Sequence, residues 1–174
     1  MDPVATVIGL ALTRLRQVFA PDASAPPLGG GTDTVYILAG DTGIIPEWVG
    51  TNSDSCDDCG PYIWVRLVRR WRTTEFPTES VTADCGAQKA ITIEAGIARC
   101  HPVDADAAEL EQLAAVQWDD AWRIDLALCA AMGDAEAAGR VGRAALGPGE
   151  PFGPEGLVIA WTQLAHAEIA GGQQ

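Results

Sequence analysis

Lys89-Ala90-Ile91-Thr92-Ile93-Glu94-Ala95-Gly96-Ile97-Ala98-Arg99-Cys100 is the stretch whose reading decides the fold. Ile91, Ile93, Ala95 and Ile97 fall on every second position, with Thr92, Glu94 and Ala98 between them. A period of two belongs to a strand, whose side chains point alternately to opposite faces. Upstream, Tyr62 to Trp71 alternates in the same way, setting Ile63, Val65, Leu67 and Trp71 against Tyr62, Trp64, Arg66, Val68 and Arg70. The pattern predicts two strands able to pair antiparallel, joined around Pro77 by a connection too long for a tight hairpin.

Further out, Asp2-Pro3 reads as a helix start, an N-cap acceptor followed by a proline at the first helical position. Val4, Ile8, Ala11, Leu12, Leu15 and Phe19 then recur at helical spacing, which predicts an amphipathic helix over 3–19. Pro21 ends it, and residues 22–33, rich in Pro, Ala, Ser and Gly, read as a flexible arm. Thr34 to Ala39 reads as a short strand, and 44–60 as a second arm without clear period.

After His101-Pro102-Val103-Asp104 the chain turns helical to Met132, with Leu110, Leu113, Ala121, Ile124, Leu128 and Ala131 as the apolar stripe. Gly133 is expected to end or bend this helix, with Ala135 to Leu146 adding a short weak one. Gly147 to Gly156 reads as turns, and Leu157 to Leu164 as a last strand. Helices segregated from antiparallel strands make an α+β domain: a small, mostly antiparallel sheet packed by an N-terminal helix and a long central helix.

Bulk properties agree with one such domain over 1–174. The chain has 174 residues, 48% hydrophobic and 20% charged, enough to bury a core. Its 24 acids against 11 bases give a net charge of −13, which argues against a typical nucleic-acid surface. Lys89 is the only lysine, a bias that with abundant Ala, Gly and Val suits a high-GC genome. No segment reads as a targeting signal or a membrane span, so synthesis in a cytoplasm and reduced thiols are the expectation.

Several patterns invite chemistry. Cys56-x-x-Cys59 with Cys85 and Cys100-His101 is a possible zinc set, but the distal ligands sit on different segments and lack the second paired spacing. Acids between Cys56 and Cys59 and no following helix disfavour a redox thiol pair. Asp41-Thr42-Gly43 matches the short motif of retropepsin-like aspartic proteases, though Gly40 interrupts the strand that should lead into it; a turn accounts for it equally well. Gly29-Gly30-Gly31 lacks the preceding strand and the lysine of a phosphate loop. His101 and His166, the two histidines, lie in different elements without a nucleophile motif. No catalytic residue and no cofactor is assigned.

Arg66, Arg69, Arg70 and Arg72, interleaved with Trp64 and Trp71, form the one concentrated basic stretch. Strand alternation would put Arg66, Arg70 and Arg72 on one face, either solvated or meeting a partner; Arg and Trp are the residue types that dominate interfaces. Glu109, Glu111, Asp119, Asp120 and Asp125 decorate the long helix, ordinarily as a solvated face.

From about Cys59 to Leu164 the arrangement resembles the tail terminators, neck proteins of long-tailed phages of actinobacteria. The resemblance is carried by Cys59-Gly60, Trp64-Val65-Arg66, Phe76-Pro77, Cys85, the strand Ile93 to Cys100, the acidic helix from Asp104 to Met132 and a glycine-led last strand. It implies a non-enzymatic virion protein, made in the host cytoplasm, whose copies form a homohexameric ring that caps the tail tube. The ring would meet the tail tube protein and a head-side connector or stopper, with DNA passing through an acidic lumen without specific binding, and no membrane. Cys59, Cys85 and Cys100 would be structural. A closed ring needs two different complementary patches on each copy, and Arg66, Arg70 and Arg72 against Glu111, Asp119 and Asp120 are the interface candidates. The alternatives are another neck component, a stopper or head-tail adaptor, or a small zinc-stabilised binding domain.

Overall fold

A computed structural model describes residues 2–40, 60–102, 104–155 and 158–170. The elements run α1 (Pro3–Phe19), β1 (Val35–Leu38), β2 (Tyr62–Thr73), β3 (Gln88–Cys100), α2 (Ala107–Ala137), β4 (Val141–Glu155) and β5 (Val158–Ile169). The strands make one sheet in the order β1-β2-β3-β5-β4, antiparallel throughout except that β1 lies parallel to β2. The fold is α+β, with both helices on one face of the sheet.

The core follows from the periods in the sequence. Val4, Val7, Ala11, Leu12, Leu15 and Phe19 line one side of α1. Ile124, Ala127, Leu128, Ala131, Met132 and Ala135 do the same for the second half of α2. Both stripes close over Ile63, Val65, Ile91, Ile93, Ala95, Ile97, Ala165 and Ala167 of the sheet. Asp2 caps α1 by accepting from the Val4 amide at 3.0 Å. Arg14 ties α1 to α2 through two hydrogen bonds to Asp134, at 2.7 and 2.9 Å.

The two central strands pair antiparallel as expected, and three features depart from expectation. The long helix runs through Gly133 and stops after Ala137, where Gly139 takes φ +65°. There the Arg140 amide donates to Ala135 O and the Gly139 amide to Glu136 O, both at 2.9 Å, the paired bonds that satisfy a helix end around a left-handed residue. No second helix follows. Val141 to Glu155, the stretch read as a weak helix and turns, is instead a fourth long strand against β5.

Its glycines and prolines have an edge-strand logic. β4 pairs on one side only, and its register slips between Val141 and Arg143, Leu146 and Gly149, and Phe152 and Glu155. Bulged edge strands are where proline is tolerated, since the missing N–H would have faced solvent. Gly149 is there for close approach: a Cβ would collide with Gln163 Oε1 and come within 3.0 Å of the Trp161 ring.

The third departure is a bulge in β2. Leu67 pairs with Ile93 but Arg69 with Thr92, leaving Val68 as an extra residue. An extra residue in a two-period strand exchanges the faces of everything after it. Trp71 therefore leaves the side of Ile63 and Val65 and joins Phe76 and Ala90 on the outer face. Arg70 and Arg72 move the other way, opposite Ile91 and Lys89, while Arg66 stays outside opposite Glu94. The expected single face of Arg66, Arg70 and Arg72 is thus split.

Candidate functional site

The surface of α2 opposite the core carries two large exposed side chains. Trp118 is 71% exposed and Trp122 62%, with Leu126 at 43%. At about 100° per residue these three lie roughly 180° around the helix from Ile124, Ala127 and Ala131. Glu111, Asp125 and Cys129 fall on the same side as the tryptophans, so the ridge is apolar at its centre and acidic at its flanks. Single exposed apolar residues are ordinary, but two tryptophans one turn apart form the kind of patch that partners cover.

A helix read for a single apolar stripe hides this ridge. Trp118-x3-Trp122-x3-Leu126 is legible as a second stripe, offset from the first. Leu110, assigned to the core, is 48% exposed, and none of residues 107–119 is buried. The first three turns of α2 stand largely clear of the core.

A cavity of about 680 Å³ lies where α1 begins and the ends of β2, β3 and β5 converge. Val4, Ile91 and Ile169 give it an apolar wall, and Arg70, Arg72 and Lys89 a basic one. Arg70 reaches Asp2 at 2.6 Å in an exposed pair. Arg72 donates to the carbonyls of Cys85 and Ala87, at 2.6 and 2.8 Å. Lys89 is exposed and makes no ion pair among the described residues. Three of the eleven basic residues thus line one concavity of an acidic chain.

The other charged candidates are committed within the subunit. Arg66 holds Glu94 with two hydrogen bonds, at 2.8 and 3.0 Å, both side chains nearly buried. Asp120 is buried against Arg99, at 2.6 and 2.7 Å, and so cannot face a neighbour. Asp119 is held by Arg123 at 2.7 Å and by the Leu28 amide at 2.9 Å. Burial alone would push its carboxyl up, but those bonds and the charges of Arg123 and Arg99 bring it below the usual range. Of the six interface candidates, Arg70, Arg72 and Glu111 remain on accessible surface.

Those two arginines also correct the expected arm at 22–33. Arg99 Nη1 donates to the carbonyls of Gly29 and Gly30, and Arg123 to those of Val18, Ala25 and Pro26. A loop has backbone acceptors that no ladder satisfies, and two guanidiniums supply the donors. Residues 25–30 form a strap pinned to α2 and β3. Gly29 and Gly30 present carbonyls to a cation, the reverse of a phosphate cradle.

Among the described residues the cysteines do not converge on a metal. Cys85 precedes β3 and Cys100 ends it, so a strand of 13 residues, about 40 Å at 3.3 Å per residue, separates them. Cys100 is disulfide-bonded, against the expectation of reduced thiols, while Cys85 and Cys129 are free. The zinc set of Cys56, Cys59, Cys85 and Cys100 is therefore not assembled. Cys56, Cys59, the arm at 44–60 and Asp41-Thr42-Gly43 lie outside the described residues. Among the described residues no helix is long and apolar enough to cross a membrane.

On the outer face, Trp71 Nε1 donates to Thr92 Oγ1 at 3.0 Å, and Thr92 Oγ1 lies 3.0 Å from His166 Nδ1. With Trp71 on one lone pair, the hydroxyl keeps its proton and a second lone pair for Nδ1, so either tautomer of the ring satisfies this contact. Burial, and then the charge of Arg69, hold the imidazole below its ordinary pKa of 6.5. The unfolded chain therefore binds a proton first, and stability falls as pH drops through 6.5 toward the folded value. We expect His166→Gln to narrow the loss of melting temperature between pH 7.5 and 5; an unchanged acid-side slope would refute this role.

Compared with known proteins, the chain matches no family model and no curated protein.

Proposed function

We propose that this protein is a structural ring subunit of the phage neck, a tail terminator that caps the tail tube and joins it to the head-side connector. The observation that carries the self-assembly is the ridge of Trp118, Trp122 and Leu126, a large apolar surface turned away from its own core. Tryptophan is the residue most enriched at interface hot spots, and water-exposed pairs of it are costly unless covered. The arrangement of segments from Cys59 to Leu164 supports the choice of neck component, and the mixed α+β content suits a terminator better than a mostly β stopper or a helical adaptor.

The charge distribution also fits a heterologous ring. The basic cavity and the acid-flanked ridge are different surfaces of one subunit, as a head-to-tail contact requires. The measurement that tests the reading is native mass spectrometry of the purified chain with negative-stain imaging. A six-fold ring with a central channel is the expected result, and a monomer at high concentration would refute it.

A further inference from the structure

The ring reading needs a receiving surface for the ridge, and the cavity beside the start of α1 has the matching chemistry. We propose that Trp118 and Trp122 of one copy dock into the cavity lined by Val4, Ile169, Arg70, Arg72 and Lys89 of the next copy. This rests on the ring reading and names its contact.

Three features of the molecule converge on that occupant. An indole offers a broad apolar body and an electron-rich face, and the cavity offers apolar wall on one side and guanidinium and ammonium groups on the other, the pairing of a cation with an aromatic ring. Glu111 and Asp125 flank the tryptophans, and the cavity carries Arg70, Arg72 and Lys89 against the single acid Asp2, so docking sets opposite charges together at the edges of the apolar contact. The cavity gathers three of the chain's eleven basic residues in one concavity. Ridge and cavity do not overlap, one lying on the outward side of α2 and the other at the sheet end where β3 begins. Each copy therefore gives one contact and receives one.

The wild-type chain carries its own reporters. Cys85 is free and lines the cavity, and Cys129 is free and sits on the ridge side of α2, two turns beyond Trp122. A short bis-maleimide added to the assembled protein should join Cys85 of one copy to Cys129 of the next, giving a ladder on a denaturing gel and that peptide pair on digestion. Crosslinks between two Cys129 residues without the Cys85 pair would mean a two-fold contact of ridge on ridge and would overturn the proposal.

Two variants provide the second arm. Arg70→Gln with Lys89→Glu turns the cavity's net charge from positive to negative, and Trp118→Ser with Trp122→Ser removes the ridge. The cavity variant should weaken self-association by about 30-fold or more and the ridge variant by about 100-fold or more. Mixed, they should form a 1:1 heterodimer that grows no further, since only one live ridge and one live cavity remain. Such a heterodimer also proves that both variants fold. A wild-type ring that the cavity variant still forms overturns this contact and leaves the ring reading standing. A wild-type chain that never self-associates overturns both.

Discussion

Arg99→Ala is expected to destabilise the folded chain by about 3–5 kcal/mol, the range for breaking a buried ion pair and leaving one charge unpartnered. The pair is nearly out of water, with the Arg99 and Asp120 side chains 8% and 3% exposed. Its loss strands the Asp120 carboxylate between α2 and β3 and takes the donor from Gly29 and Gly30. For a chain of this size that corresponds to a melting-temperature drop of roughly 6–20 °C. The double variant Arg99→Met with Asp120→Leu separates the two roles. Removing both charges together is often close to neutral for the pair itself, so the residual loss, about 1–3 kcal/mol, reports the strap carbonyls left without a donor. Thermal or urea unfolding of the three proteins decides it. An Arg99→Ala protein within 1 kcal/mol of wild type, a limit set by the ordinary worth of exposed pairs, would show the pair to be dispensable.

The second large effect falls on assembly and spares the fold. Trp118→Ser with Trp122→Ser should weaken self-association by at least about 100-fold, since tryptophan hot spots each contribute about 2 kcal/mol or more. The melting temperature of the dilute monomer should stay where it is, because both rings already face water. Ile124→Ala, on the opposite side of the same helix, is the contrasting control: it empties a fully buried site and should cost about 2–5 kcal/mol of fold stability. Sedimentation velocity and thermal melts read the two quantities separately. Unchanged assembly of the tryptophan variant would remove α2 from the interface.

The ease with which parts of this molecule read from sequence follows the range of the interactions that set them. α1 was legible almost to the residue, because its cap, its proline and its stripe are all local. β2 and β3 were legible as an antiparallel pair from alternation alone. The bulge at Val68 was not, since an extra residue exists only relative to the partner strand, and it alone redistributes the arginines. Gly147 to Gly156 misled because glycine and proline mark turns and bulged edge strands alike; the choice between them depends on Trp161 and Gln163 in β5. The strap was read as a loose arm because Arg99 and Arg123, which hold it, lie some seventy to a hundred residues away in the chain. Of the candidate interface, Arg70, Arg72 and Glu111 are legible in the sequence, while Lys89 is not, and the tryptophan ridge is hidden by the assumption that an amphipathic helix has a single apolar side.

Any protein that carries a β-sheet has to favour some contacts with its neighbours and refuse others. The most dangerous alternative for any sheet is to accept a further strand along its rim, because every strand added exposes a fresh rim and growth has no end. Among the described residues one rim is β1, four residues long, and the other is β4, with Pro148, Pro151 and Pro154 and three breaks in register along its length. Neither presents a long, regular row of free amides and carbonyls. Along these edges the addition of further strands is disfavoured, so any contact between copies falls to side chains.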